Sequence, residues 1–359
     1  MATTSDKITV CHVSPLRNTK GGITSVVMSY AASTDWPIDC SFVEPHRDGT
    51  GAQKFIHMIR AFGQAFLFCF ARKIDIVQVH VGDFPSIYRK MLVTLPFFLL
   101  LRCRRILHMH GAAFLTEYGR QSSFGRWLVR AYISRFDLVI ALSEQWKTDL
   151  QSYFDIEQVL VLPNAVEVPE NLPIRQIPEE RIFLFLGLIG ARKGVFDLLK
   201  SIRKLAEQDC RPPLRICGNG DVEKLESDIR EYGLDDKIRY LGWLTGAARS
   251  QVMETSHVLI LPSYAEGAPM SVLEGMAAGM PIISTRVGAL PEMVEDGISG
   301  FLIEPGDIPA LATAIERLHS DANLWTQMSQ RSYQIARERF SLAAHKRNLL
   351  AAYRSLLSM

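Results

Sequence analysis

Short apolar runs alternate with longer amphipathic stretches along the whole chain, a pattern that predicts parallel strands separated by helices in open α/β sheets. In the first half the runs predict strands at Ile8–Val13, Ile74–Val81, Arg105–His110, Leu138–Leu142 and Val159–Leu162. Helices are expected near Gly22–Ala32, Gln53–Ala71, Pro85–Leu101 and Phe124–Phe136. Four prolines between Pro163 and Pro178 then interrupt both kinds of element, because proline lacks a backbone donor and fixes its own φ. A second series follows, with strands expected at Ile182–Gly187, Leu214–Cys217, Ile238–Leu241, Val258–Leu261 and Pro281–Ser284, and a long helical tail from Ile308. The pattern divides the chain into doubly wound units at 1–167 and 181–340, joined by a linker at 168–180 and followed by a closing helical segment at 341–359.

A length of 359 residues suffices for two domains, each with its own core. The polar start, Met1 to Lys7, runs straight into the first strand, so neither a signal peptide nor a transit peptide is expected and the chain is assigned to the cytoplasm. Six cysteines stand mostly in apolar segments with no C-x-x-C pair, as reduced core thiols do. Net charge is only +2, but residues 1–135 hold 17 Lys+Arg against 8 Asp+Glu. A first half this basic fits either ordinary surface charge or an anionic partner, the partner being a phosphorylated acceptor or the cytoplasmic face of the inner membrane as a peripheral contact. Met91–Leu101 is too short to span a bilayer, which takes about 20 apolar residues, and reads first as a buried crossover helix. Phe55–Phe70 mixes aromatic and basic residues and fits either a bilayer surface or packing on the first sheet.

The chemistry concentrates between Ser263 and Gly300. An apolar strand leads into a loop carrying Glu266 and Gly267. Pro269 suits the first turn of the helix that follows, Glu274 lies on that helix, and Gly279 ends it. The first amides of that helix, at Met270, Ser271 and Val272, lack intrahelical partners and can receive an anion such as a diphosphate. Two carboxylates flanking an anion suit a nucleotide sugar, one for ribose hydroxyls and one for sugar hydroxyls. Elsewhere, Lys20-Gly21-Gly22 opens the first helix, with glycine amides that can approach a phosphate without a side chain intervening. His108 and His110 share one side of a strand, and no third metal ligand is evident beside them in the sequence. Cys217-Gly218-Asn219-Gly220 lacks the third glycine of a dinucleotide loop, since Glu223 stands there, which argues against a dehydrogenase.

Glu266, Gly267, Pro269, Glu274, Gly279, Pro281, Gly288, Pro291, Glu292, Gly297 and Gly300 fall in step with the E-x7-E signature of family 4. The chain therefore resembles the retaining glycosyltransferases of that family. The resemblance implies the GT-B fold, two Rossmann-like domains facing across a cleft, with an acceptor-binding N-terminal domain and a nucleotide-sugar-binding C-terminal domain. It also implies that the last helix crosses back to the first domain. It implies no cofactor and no metal, only a UDP-sugar or GDP-sugar donor and a glycan or lipid-linked glycan acceptor, with no nucleic acid. By the same resemblance His110, Lys193 and Glu266 are the catalytic residues, His110 reaching the transferred sugar. Donor binding falls to Gly21, Gly22, Arg192, Lys193, Gly218, Glu266, Gly267, Met270, Ser271 and Glu274. The implied reaction is transfer of a hexosyl unit in bacterial polysaccharide or glycolipid assembly. The chain departs from the family at Leu188, which stands where an arginine that neutralises the donor diphosphate is expected, with Arg192 the nearest substitute. Losing one such contact costs about 3 kcal/mol of transition-state stabilisation, so a non-catalytic GT-B protein that binds sugar nucleotides or glycans beside another transferase is the alternative.

Overall fold

The computed structural model describes residues 7–15, 22–31, 36–47, 50–82, 84–111, 113–172 and 180–358. Gly21 of the proposed donor loop and residues 173–179 of the expected linker lie outside the described residues. The chain divides into two compact units, one formed by Met1–Asn164 with Ala343–Met359 and the other by Ala165–Leu342.

The first unit runs β1 (Ile8–Val13), α1 (Gly22–Ala31), β2 (Ile38–Val43), α2 (Gly51–Ala71), β3 (Ile76–Val81), α3 (Phe84–Leu100), β4 (Arg104–Met109), α4 (Phe114–Gly119), α5 (Ser123–Ile133), β5 (Leu138–Ala141), α6 (Glu144–Phe154) and β6 (Val159–Val161). Its six strands are all parallel in the order β2-β1-β3-β4-β5-β6. A parallel sheet needs cover on both faces, and here the two covers differ. Val77, Val79, Val81, Leu107 and Met109 pack into one apolar core with residues of α2, α3, α4, α5 and α6. The alternate positions, His12, Gln78, His80 and His108, are polar and fully buried toward the opposite side.

The second unit runs β7 (Phe183–Leu186), a 3-10 turn (Ala191–Lys193), α7 (Val195–Ala206), β8 (Leu214–Cys217), α8 (Val222–Glu231), β9 (Ile238–Tyr240), α9 (Gly246–Glu254), β10 (Val258–Leu261), α10 (Met270–Ala277), β11 (Ile282–Thr285), α11 (Leu290–Met293), β12 (Gly300–Ile303), α12 (Ile308–Ser320) and α13 (Ala322–Arg339). Its six parallel strands are ordered β12-β11-β10-β7-β8-β9. Strands β7, β10, β11 and β12 are buried at every position; β7, β10 and β12 are apolar throughout, and the two hydroxyls of β11 donate to the Leu261 and Ser263 carbonyls. The tail expected as one long helix is cut where Asp321 closes α12 and caps α13 by accepting from the Leu324 amide at 2.9 Å. The chain then returns to the first unit in α14 (Leu342–Ser358), where Leu349 and Tyr353 are fully buried.

Candidate active site

In a doubly wound sheet, ligands bind outside the carboxyl ends of the strands where the strand order reverses. In the second unit that point lies between β7 and β10, which pair at Val258 with Phe183. The loops leaving these two strands are held together by a close backbone approach. Gly194 has φ +70°, and a Cβ placed on it would fall 1.9 Å from the Pro262 carbonyl oxygen, so only glycine fits. In addition, the Tyr264 amide donates to the Arg192 carbonyl at 2.8 Å. These contacts carry the Lys193 side chain to Glu266, with Nζ 2.5 Å from Oε1. Ser263 Oγ donates to the same carboxylate oxygen at 2.6 Å. Glu266 is buried, and its backbone is fixed from behind by Gly288, where a Cβ would fall 2.0 Å from the Glu266 carbonyl.

The helix α10 begins beside this pair. Pro269 stands at its N-cap with φ −68° and ψ 123°, one position before the expected first turn. The Val272 amide, expected to stay open for an anion, is taken up by the Pro269 carbonyl at 3.1 Å, because that carbonyl folds into a tight first turn. Met270 and Ser271 are the remaining first-turn residues, placed where the positive end of the helix dipole favours an anion. Gly267 leads into the helix, its carbonyl accepting from the Ala289 amide at 2.9 Å. Glu274 sits one turn along α10 and meets Arg249 of α9, whose Nη1 donates to Oε1 at 2.6 Å while Nη2 contacts Oε2. No motif in the sequence marks Arg249, which lies 25 positions away on a helix of ordinary composition.

Arg192 Nη1 donates to the Ala265 carbonyl at 3.0 Å, which brings its guanidinium to the loop that carries Glu266. Leu188 is 47% exposed on the loop after β7. Gly218 is required for another close approach, since a Cβ there would fall 1.8 Å from the Gly187 carbonyl. The structure thus gathers Arg192, Lys193, Glu266, Gly267, Met270, Ser271 and Glu274 around the β7–β10 switch point, with Gly218 on the neighbouring strand end.

Gly22 and His110 belong to the first unit. Gly22 is the first residue of α1. His110 follows β4, and its Nε2 lies 3.1 Å from His80 Nδ1. His80 in turn contacts His12 Nδ1 through Nε2 at 3.2 Å, and Gln78 Nε2 donates to His108 Nδ1 at 3.2 Å. Tyr353 of α14 donates to Gln78 Oε1, and Tyr30 meets His345 Nε2 at 2.6 Å. The third imidazole that the sequence did not offer beside His108 and His110 is His80, placed opposite His108 by the β3–β4 register. The three present nitrogens within 4.8 Å of one another. His80 Nδ1 and His110 Nε2 face each other at hydrogen-bond distance, and among the described residues no carboxylate or thiolate joins the trio, so the donor set matches a hydrogen-bond network better than a closed four-ligand metal site. Burial holds every member neutral: it drives His12 and His110 down to about 3 and His345 to about 4, and with the neighbouring imidazoles it holds His80 and His108 well below the ordinary range.

Residues 21–169 match the family description Glycosyltransferase Family 4, and residues 167–335 match Glycosyl transferases group 1. Among curated relatives, the chain is 28% identical over 186 residues to alpha-D-kanosaminyltransferase of Streptomyces kanamyceticus, covering 50% of this chain and 47% of that protein. The chain spans about half the length of the first curated relatives it matches. Among solved structures, sucrose-phosphate synthase from Thermosynechococcus elongatus superposes with a TM-score of 0.79 at 17% identity, covering 98% of this chain and 100% of that one. Anabaena Alr3699/HepE in complex with UDP and glucose superposes with a TM-score of 0.71 at 16% identity, covering 97% and 100%. The two family matches meet near residue 167 and together run from 21 to 335, so the chain belongs to the family 4 glycosyltransferases and has their GT-B fold of two Rossmann-like units.

Proposed function

We propose that this protein is a retaining glycosyltransferase that moves a hexosyl unit from a nucleoside diphosphate sugar to a glycan or lipid-linked glycan in polysaccharide or glycolipid assembly. The observation that carries the reading is the Lys193–Glu266 pair beside the amino end of α10 at the strand-order reversal of the second unit. A diphosphate set against Met270 and Ser271 has a lysine cation within reach, and the charge that develops on it as the glycosidic bond breaks is stabilised by that cation and the helix dipole. Glu266, already oriented by Ser263, is then available to sugar hydroxyls, and Glu274 to the ribose. Alr3699/HepE was solved with UDP and glucose bound, which makes UDP-glucose the first donor to try.

Thermal denaturation with UDP, GDP, ADP and their hexose conjugates tests the donor class. One base is expected to raise the melting temperature with concentration, by about 2.7 kcal/mol of stability at a hundredfold excess over Kd. Absence of a shift with every nucleotide removes the donor site. Glu274→Ala is expected to weaken donor binding roughly tenfold, about 1.4 kcal/mol, while kcat at saturating donor changes little. An unchanged donor affinity takes Glu274 out of the ribose site.

The exposed Leu188, in the place of an expected arginine, supports a second reading, a GT-B protein that binds sugar nucleotides without turning them over. Donor binding with neither transfer nor hydrolysis selects it.

A further inference from the structure

The outward face of α2 is apolar, as is the face it turns to the core, where Met58, Phe68 and Cys69 pack partly buried beside its alanines. Its buried residues are the small Ala61 and Ala65, whereas Phe55, Ile56, Ile59, Phe66, Leu67 and Phe70 are 45% to 71% exposed. Positions 55, 59, 66 and 70 are spaced by four, seven and four residues and so line one side of the helix, with 56 and 67 beside them. The adjoining α3 adds Leu99, 73% exposed, and Leu100. In the same helical layer, Phe124 and Trp127 of α5 stack at 5.8 Å between ring centroids, both more than half exposed. The exposed large apolar residues of the second unit, such as Leu188, Leu241 and Ile298, are scattered along its chain.

Charge narrows the choice of partner. The sequences of α2, α3 and α5 contain no aspartate or glutamate, while Lys54, Arg60, Arg72, Lys73, Arg102 and Arg130 are exposed along or beside them. The nearby carboxylates of Asp75 and Asp137 are paired, with Lys73 at 3.4 Å and Arg104 at 3.5 Å. An aromatic and aliphatic centre with a mainly positive fringe, Glu117 of the intervening α4 being the exception, matches an anionic lipid interface, in which rings enter the acyl boundary and cations meet headgroup phosphates. Among the described residues no helix is long and apolar enough to cross a membrane, so α2, about 30 Å long, would lie along the surface.

We propose that the α2–α3–α5 face docks on an anionic lipid bilayer with α2 in the interfacial plane. This does not depend on the donor site, and its test leaves that site untouched. The test is co-sedimentation of the full chain with phosphatidylcholine vesicles, with and without phosphatidylglycerol. Affinity is expected to be at least about tenfold higher with phosphatidylglycerol and to fall with added salt. The double substitution Phe66→Ser and Phe70→Ser is expected to lower the bound fraction more than about fivefold at an unchanged melting temperature, since both rings are exposed. Lys54→Gln with Arg72→Gln should instead erode the preference for phosphatidylglycerol. The proposal is overturned if the native chain ignores both kinds of vesicle, or if the phenylalanine pair can be replaced without loss of binding. It is equally overturned if sedimentation velocity shows a dimer that these substitutions break while vesicles fail to bind.

Discussion

Lys193→Ala is expected to lower kcat for sugar transfer by 10²- to 10³-fold, roughly 3 to 4 kcal/mol of transition-state stabilisation, while donor Kd rises far less. Lys193 stands next to Glu266 before any donor arrives, so the cation needs little reorganisation when the diphosphate takes on charge. With Leu188 in place of an arginine, the two described arginines nearest this pair are already engaged, Arg192 with the Ala265 carbonyl and Arg249 with Glu274. The variant also leaves the buried Glu266 carboxylate to its bond with Ser263, so a lower melting temperature should accompany the loss. Single-turnover kinetics with saturating donor separate the two effects, since a purely structural lysine would reduce the active fraction but leave the rate of the surviving enzyme alone. A single-turnover rate within threefold of the native value would falsify the assignment of Lys193 to the leaving group.

Acid is expected to unfold the first unit before the second. Burial places His12 and His110 at about 3 and His345 at about 4, whereas in the unfolded chain each titrates near 6.5. As pH falls below about 6.5 the unfolded chain binds protons that the folded one refuses. The stability these residues allow is therefore intact above that pH and is lost progressively down to pH 3–4. At pH 5 each contributes a loss of about 2 kcal/mol, together about 6, with His80 and His108 adding in the same direction. Among the described residues no carboxylate takes part in the hydrogen bonds between these rings, and the buried Lys90 pushes His80 and His110 further down. A loss of that size is comparable to the whole stability of many domains and corresponds to a drop in melting temperature of roughly 10–25 °C. Hydrogen exchange by peptide, corrected for intrinsic pH dependence, should show β3 and β4 opening at pH 5 while β7 and β10 stay protected. Equal protection of both sheets at that pH contradicts the account.

β1, β8 and β10 have the boundaries that the pattern predicts: β10 is an unbroken apolar run buried at every position, and β1 and β8 stay readable because Thr9, His12 and Arg215 interrupt otherwise apolar segments only singly. β2 escaped because it is an edge strand, its sequence Ile-Asp-Cys-Ser-Phe-Val half-exposed and without a continuous run. β12 and α6 were missed as well, one a four-residue run behind a glycine turn and the other a polar helix with two buried residues. At the site, Glu266 and Glu274 were legible because the E-x7-E spacing is local. Arg249 and His80 were not, since each reaches its partner only through the tertiary arrangement of separate elements. The mixture of aromatic and basic residues in Phe55–Phe70 left two readings open, and side-chain burial shows that the helix packs through Ala61, Ala65 and Phe68 while Phe55, Phe66 and Phe70 stay exposed.

The placement of α14 bears on synthesis at the ribosome. The fully buried Tyr353 and Leu349 and the buried His345 cover the polar side of a sheet whose strands all lie before residue 165. At 5 to 20 residues per second the translating ribosome takes roughly 10 to 40 s to get from β6 to α14. During that interval the nascent first half has its sheet-forming segments and its outward-facing phenylalanines but not its final cover. The second unit, contiguous in sequence, has no such wait, so the later-made half can mature first, and a chaperone acting during synthesis would find its binding surface on the earlier-made one.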